Sequence, residues 1–396
     1  MKVYNFDKII DRTVVDTVKY GFRKQVFNSE DVIPLWVADM DFETPDFIVE
    51  AMQVRLHHKV FGYGFRSVDY NKTLIKWIAE RYQWEIGANE ISFSPGVVPG
   101  LMMAVLALSN PKDKILVQPP VYFPFYITVK NNDRELVYNQ LKETTTGYEI
   151  DFDDLESKFK SGVKLFIMSH PHNPVGRVWK KKELQRIVNL CVQYDVLILS
   201  DEIHADLTFA PQQHIPIASI SEAAAKRTLT FMAASKTFNI AGLSTAFVVC
   251  QQKDLLQKYN ETMDAMHLFT GNVMGTVATK AAFDKGNEWR LQMLDYIQGN
   301  IDLVEVFLKQ NIPSVHFHRP EATYLLWLDF RNLNLAQERL VDMLINKAKV
   351  GMNDGTVFSP GGEGFMRLNV ACQRSILEKA LNQIKHAFGE IKYTND

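Results

Sequence analysis

The sequence predicts an α/β fold: a mostly parallel sheet covered by helices on both faces, followed by a smaller α+β unit. Three observations lead there. Between about residues 114 and 250, strand-like runs at 114–118, 165–169, 196–200, 228–234 and 246–250 are apolar almost throughout, and amphipathic helices such as 181–194 fall between some of them. Strands without polar alternation are buried on both faces, as in a parallel sheet between helices. Beyond about residue 285 the pattern changes to a long helix, short strands and a terminal helix. A chain of 396 residues, 46% of them hydrophobic, can bury a large core and is too long for one compact unit.

Composition narrows the partners. A formal net charge of -2 gives nothing for nucleic acid or a charged membrane surface to hold, so small molecules or other subunits are expected. The first residues lack a long apolar core and a cleavage site, and no later run is long enough to span a bilayer, which points to the cytoplasm. Cys191, Cys250 and Cys372 are scattered through apolar contexts and read as core thiols, not as disulfides, metal ligands or a nucleophile.

Taken in order, residues 1 to about 30 form an arm with one short helix. An extended apolar segment then runs to Trp36-Val37-Ala38-Asp39-Met40-Asp41-Phe42, and Thr44-Pro45 starts a helix through Arg55. Such a segment, with an exposed-looking Trp36, either lines a pocket or staples two units together. Phe61-Gly62-Tyr63-Gly64-Phe65 frames a tyrosine between glycines: a packed turn, or a hydroxyl presented to something outside its own core. A helix at 70–83 follows. Residues 91–100, ending Pro95-Gly96-Val97-Val98-Pro99-Gly100, lead from a strand through a turn into a helix at 101–108, whose free N–H groups suit a phosphate. The glycine patterns of dinucleotide folds and P-loops are missing.

In sheets of this type ligands bind beyond the carboxyl ends of the strands. Four successive strand ends deliver Tyr122, Asn173, Asp201 and Lys236. Burial lowers the pKa of a lysine, as an amine requires if it is to form a Schiff base, although a strand-end lysine can also snorkel to solvent. Asn173-Pro174 alone could be a turn, Asp201-Glu202 could cap a helix, and His170, His172 and His204 could suggest a metal. Their spacing fits no common metal-ligand pattern. In the C-terminal part, helices at 288–310 and 336–349, strands near 315–317 and 324–329, a glycine-rich loop at 359–364, a strand at 365–369 and a final helix are expected. Arg367 is either a surface ion pair or a fork for a carboxylate.

With these residues in view, the chain resembles the pyridoxal-phosphate-dependent enzymes of fold type I, the aminotransferase class I/II superfamily, over essentially its whole length. Within it the cystathionine β-lyase (cysteine-S-conjugate β-lyase) branch is the most similar. The match rests on Trp36 to Phe42, Gly62-Tyr63-Gly64, Pro119-Pro120-Val121-Tyr122, His172-Asn173-Pro174-Val175-Gly176, Ser200-Asp201-Glu202-Ile203-His204, Ser235-Lys236-Thr237-Phe238-Asn239 and Arg367-Leu368-Asn369. The resemblance implies an aspartate-aminotransferase-like fold with a seven-stranded sheet. It implies an N-terminal arm at 1–45, a large cofactor-binding domain at 46–287 and a small domain at 288–396.

It also implies roles. Lys236 would hold pyridoxal 5'-phosphate as a Schiff base and move the substrate's Cα proton, with Asp201 on the pyridine nitrogen and Tyr122 stacked on the ring, the three forming the catalytic set. Asn173 would meet the 3-hydroxyl and the substrate, Arg367 the substrate carboxylate, and Trp36 would line the side-chain pocket. Val97, Val98, Ser235 and, from the partner of a homodimer, Tyr63 would hold the phosphate. His204 stands where a tyrosine is common, and Ser244 where many transaminases carry an arginine. The expected reaction is α,β-elimination from L-cystathionine or related cysteine conjugates. An aminotransferase, and a regulatory protein on the same body, are the alternatives.

Overall fold

The computed structural model describes residues 2–389. At its centre lie β1 (Ile91–Ser94), β2 (Lys114–Val117), β3 (Glu135–Tyr138), β4 (Val163–Ser169), β5 (Leu197–Asp201), β6 (Thr228–Met232) and β7 (Ala246–Val249). They form one sheet in the order β1-β7-β6-β5-β4-β2-β3. Only β7 runs against its neighbours β1 and β6; the other pairings are parallel. The seven-stranded, mostly parallel α/β sheet is thus as the sequence implies.

The reason for the unbroken apolar runs is visible in the packing. Alternate residues of one strand serve different cores: Phe166 and Met168 of β4 pack with Leu116, Ile198 and Trp179, whereas Leu165 and Ile167 pack with Ile115, Leu199 and Leu229. Both sides need apolar side chains, so no polar alternation survives. The helix Val97–Leu108 sits against this second core through Leu101, Ala104 and Val105. It approaches so closely that a Cβ on Gly100 would collide with Ser94 Oγ and the Phe231 ring.

The C-terminal part holds the helix Asn287–Asn311, the antiparallel strands Leu325–Asp329, Phe365–Asn369 and Asn353–Asp354, and the helix Arg374–Gly389. Register places Trp327 and Asn353 on either side of Arg367.

Several elements differ from expectation. The edge strand β3 and the hairpin Lys142–Thr144 with Gly147–Glu149 escape the sequence pattern, being short and only partly buried. Residues 315–317 contribute a single bridge, His316 to Asp329, between Pro313 and Pro320, which limit pairing. The helix expected at 336–349 is Gln337–Asp342 continued by a π-helical turn, Met343–Lys347. The N-terminal arm carries two short helices, Val18–Gly21 and Arg23–Phe27, not one. Strand β6 stops at Met232, two residues early, because Ala234 O turns to accept the N–H of Phe238. That turn lifts Lys236 off the sheet.

Candidate active site

Beyond the carboxyl ends of β4, β5 and β6 lies a cavity of about 280 Å³. Of the residues singled out in the sequence, Val97, Val98, Tyr122, Asn173, Asp201, His204, Ser235 and Lys236 line it. The loop bearing Lys236 is anchored two residues later by Phe238, wholly buried and packed on Trp289 and Phe283.

The Lys236 ammonium donates to Ala38 O at 2.7 Å. Burial lowers its pKa to about 8, with Asp39 and Asp201 opposing and Arg367 reinforcing the shift; an amine so tuned is available as a nucleophile and base near neutral pH. Asp201 is buried at the end of β5, and the only hydrogen bond to its carboxyl among the described residues comes from the backbone N–H of Ile203. Burial pushes this carboxyl up to about 7. A carboxylate so placed needs a positive partner from within the cavity. His204 beside it is held neutral by burial, with Lys236 and Arg367 adding to the effect; its pKa falls to about 3 and its Nδ1 lacks a hydrogen-bond partner.

Arg367 decides between the two readings of its sequence. It is 3% exposed, and no carboxylate pairs with it among the described residues, so the surface ion pair is excluded. Its guanidinium donates to Asn173 Oδ1 at 3.0 Å, Asn353 Oδ1 at 2.6 Å and Trp36 O at 3.0 Å, all neutral acceptors, and lies over the Phe358 ring. Burial lowers its pKa to about 10, and its Nε–H has no acceptor. A buried, uncompensated cation with a spare donor is a seat for an anion.

Trp36 differs from expectation. Its indole N–H donates to Lys19 O and its ring meets Phe27 edge-on, so its carbonyl, not its ring, serves the site. The reason is the bend at 37–39, which turns main-chain oxygens inward. Each of the seven carbonyls from Trp36 to Phe42 accepts from a side chain: Arg367, Asn369, Lys236 with Tyr324, Asn369 again, Asn239, Gln373 and Asn239 again. Tyr63 does not reach the cavity and is 98% exposed.

The first helical N–H groups, at Val97 and Val98, follow Gly96 with no side-chain cap, and Ser235 and Thr245 bring hydroxyls to the same wall. Together they can cradle a phosphate. His170 bonds Ile215 O and His172 bonds Pro120 O through their ring nitrogens, and no group of three or more potential metal ligands occurs among the described residues. Glu202 accepts from the Ser200 hydroxyl and from the N–H of Ile217, which opens the short 3-10 helix Ile217–Ile220, beside His214. Sequence reasoning missed Tyr324, Asn353, Ser169 and Thr245.

The chain belongs to the aminotransferase class I and II family, whose model matches residues 30–384. Cystathionine beta-lyase PatB of Bacillus subtilis is 40% identical over 384 residues, covering 97% of this chain and 99% of that one. Among solved structures, cystalysin from Treponema denticola, which contains a pyridoxal 5'-phosphate cofactor, superposes with a TM-score of 0.96 at 33% identity, covering 99% of this chain and all of that one. The PLP-bound C-S lyase from Staphylococcus hominis gives 0.92 at 35% identity, over 98% and 99% of the two chains. The cavity fits that cofactor: an amine, a buried carboxylate lacking a cation, and a capless helix start with two hydroxyls.

Proposed function

We propose that the protein is a pyridoxal-phosphate-dependent carbon–sulfur β-lyase that cleaves L-cystathionine or related cysteine S-conjugates to a thiol, pyruvate and ammonia. The observation that carries the amino-acid part is Arg367, buried without a counter-charge next to a cavity holding Lys236 and Asp201. The lyase part is supported by the relatives named above.

Pyridoxal phosphate, when bound, supplies an electron sink for the pair left at the substrate's Cα. Lys236 would hold that cofactor, and its Nζ would take the Cα proton. Asp201 would place a negative charge for its ring nitrogen, and Tyr122 would pack against its ring. Neutral His204 and Asn173 would bind its 3-hydroxyl, while Val97, Val98, Ser235 and Thr245 would hold the phosphate. Arg367, kept in place by Asn173 and Asn353, grips the α-carboxylate. The C–S bond then breaks with its electron pair on sulfur, and water completes the release of pyruvate and ammonia.

The same reading divides the chain at about residue 287 and makes it a cytoplasmic homodimer whose Tyr63 reaches the partner's phosphate site. Tyr63 lies among Val60, Phe61, Phe65 and Val68, all more than half exposed, and an apolar exposed run of this kind suits a subunit contact.

The test is to supply purified protein with L-cystathionine and no keto acid. Equal amounts of pyruvate and homocysteine are expected, and Lys236→Ala should abolish both the product and the covalently held cofactor. Activity that requires a keto acid acceptor would overturn elimination in favour of transamination.

A further inference from the structure

The N-terminal arm reaches the underside of the Lys236 site through a cluster of four charges, of which Lys19 and Asp41 are buried and Arg12 and Asp39 partly so. Arg12 forks onto Asp39, with Nη1 at 3.1 Å from Oδ1 and Nη2 at 2.7 Å from Oδ2, and its Nη1 also donates to Asp41 at 2.6 Å. Lys19, completely buried, reaches Asp41 at 2.8 Å and Asp39 at 3.4 Å. Two cations therefore balance two carboxylates, as burial of such a group demands. Asp39 is the residue immediately after Ala38, whose carbonyl receives the Lys236 ammonium. A cavity of about 900 Å³ runs along the cluster and is lined in part by Arg12, Asp39, Asp41 and Lys236, so these charges and the amine share one space.

We propose that Arg12 is a positioning residue that holds Asp39 as a fixed negative charge facing Lys236, so that the arm tunes the amine on which the chemistry turns. This rests on Lys236 being the cofactor-bearing lysine. Burial alone would raise the Asp39 carboxyl; Arg12 and Lys19 more than offset that, and it lies below the usual carboxylate range. Of the charges opposing the effect of burial on Lys236, Asp39 leads. The other charges acting on the amine are Arg367 from its strand and Asp201 from β5; His204 feels Lys236 in turn, Tyr324 shares the Ala38 carbonyl and Tyr122 lines the same cavity. None of them belongs to the arm.

The signs make the proposal testable on the full-length holoenzyme by titrating the cofactor's visible absorbance with pH. Asp39→Asn, nearly isosteric, removes a negative charge and should lower the midpoint by roughly half a unit or more. Arg12→Gln leaves Asp39 less neutralised and should raise it. The midpoints of kcat/KM against pH should move the same way. A merely structural role predicts loss of activity in both variants with no opposed displacement. If Arg12→Gln does not fold, Arg12→Lys, which keeps the charge, should leave the midpoint near that of the wild type while Asp39→Asn still lowers it. An unmoved midpoint in Asp39→Asn, or displacement of both in one direction, overturns the proposal. Retention of the visible band in Lys236→Ala would instead overturn the assignment of Lys236, so the two failures are separable.

Discussion

Arg367 donates through one guanidinium nitrogen to Asn173 Oδ1, tying the C-terminal sheet to the end of β4 at 3.0 Å. The contact joins residues 194 apart in sequence. It aims a rigid fork without neutralising it, since an amide carries no charge to compete with an arriving carboxylate.

Replacing the fork should therefore be costly even when the charge remains. Arg367→Lys should lower kcat/KM for the amino acid by about 10²-fold, corresponding to roughly 3 kcal/mol for bonds to a charged group, with most of the loss in KM. Steady-state kinetics checks this, and a KM within a factor of two of wild type would remove Arg367 from carboxylate binding.

Asp201 carries a stability signature with a definite sign. Its folded pKa, about 7, exceeds the value of about 4 for an unfolded chain. Its contribution to the cofactor-free protein is thus full below pH 4 and lost as pH rises toward 7. Asp201→Asn should match the wild type near pH 4 and, without cofactor, exceed it in melting temperature at pH 8. With cofactor the ranking should reverse, and activity should fall about 10- to 100-fold for loss of a charge-assisted bond. Thermal melts at both pH values decide it.

Tyr324 is wholly buried, and its hydroxyl donates at 3.0 Å to the same Ala38 carbonyl that receives Lys236. Tyr324→Phe leaves the carbonyl one donor short whenever Lys236 is engaged elsewhere. A fall in kcat of about fivefold is expected, the equivalent of roughly 1 kcal/mol, with KM unchanged. Equal kcat in variant and wild type would make the hydroxyl incidental.

Gly100 tests the packing behind the phosphate cradle. A methyl group there meets Ser94 Oγ and the Phe231 ring, so Gly100→Ala should destabilise by about 1–3 kcal/mol through overpacking, read from urea unfolding. Cofactor affinity should fall with it, because the helix start must retreat.

Much of this site could be read from the chain. Asp201, Asn173 and Lys236 follow apolar strands closely, where a polar residue has no structural excuse. Arg367 was ambiguous in sequence because burial, which separates an ion pair from an anion seat, is a property of the folded chain. Tyr324 and Asn353 stayed hidden for a related reason: their partners lie on the 36–42 bend or the facing strand, and only the docking of distant segments makes them neighbours. Trp36 misled because a large ring drew attention from its own carbonyl. Strand β3 and the early end of β6 depend on pairing and on a local turn, neither of which leaves an apolar signature.

The bend from Trp36 to Phe42 has one more consequence. Its first carbonyl meets Arg367 and its third meets Lys236, and every carbonyl between and beyond is tied by a side chain. The Arg367 guanidinium and the Lys236 amine therefore cannot drift apart independently. The spacing of the two cations is thus set by main-chain geometry, through the carbonyls of Trp36 and Ala38. Because that spacing is built from main chain, it survives changes in the side chains that decorate the bend.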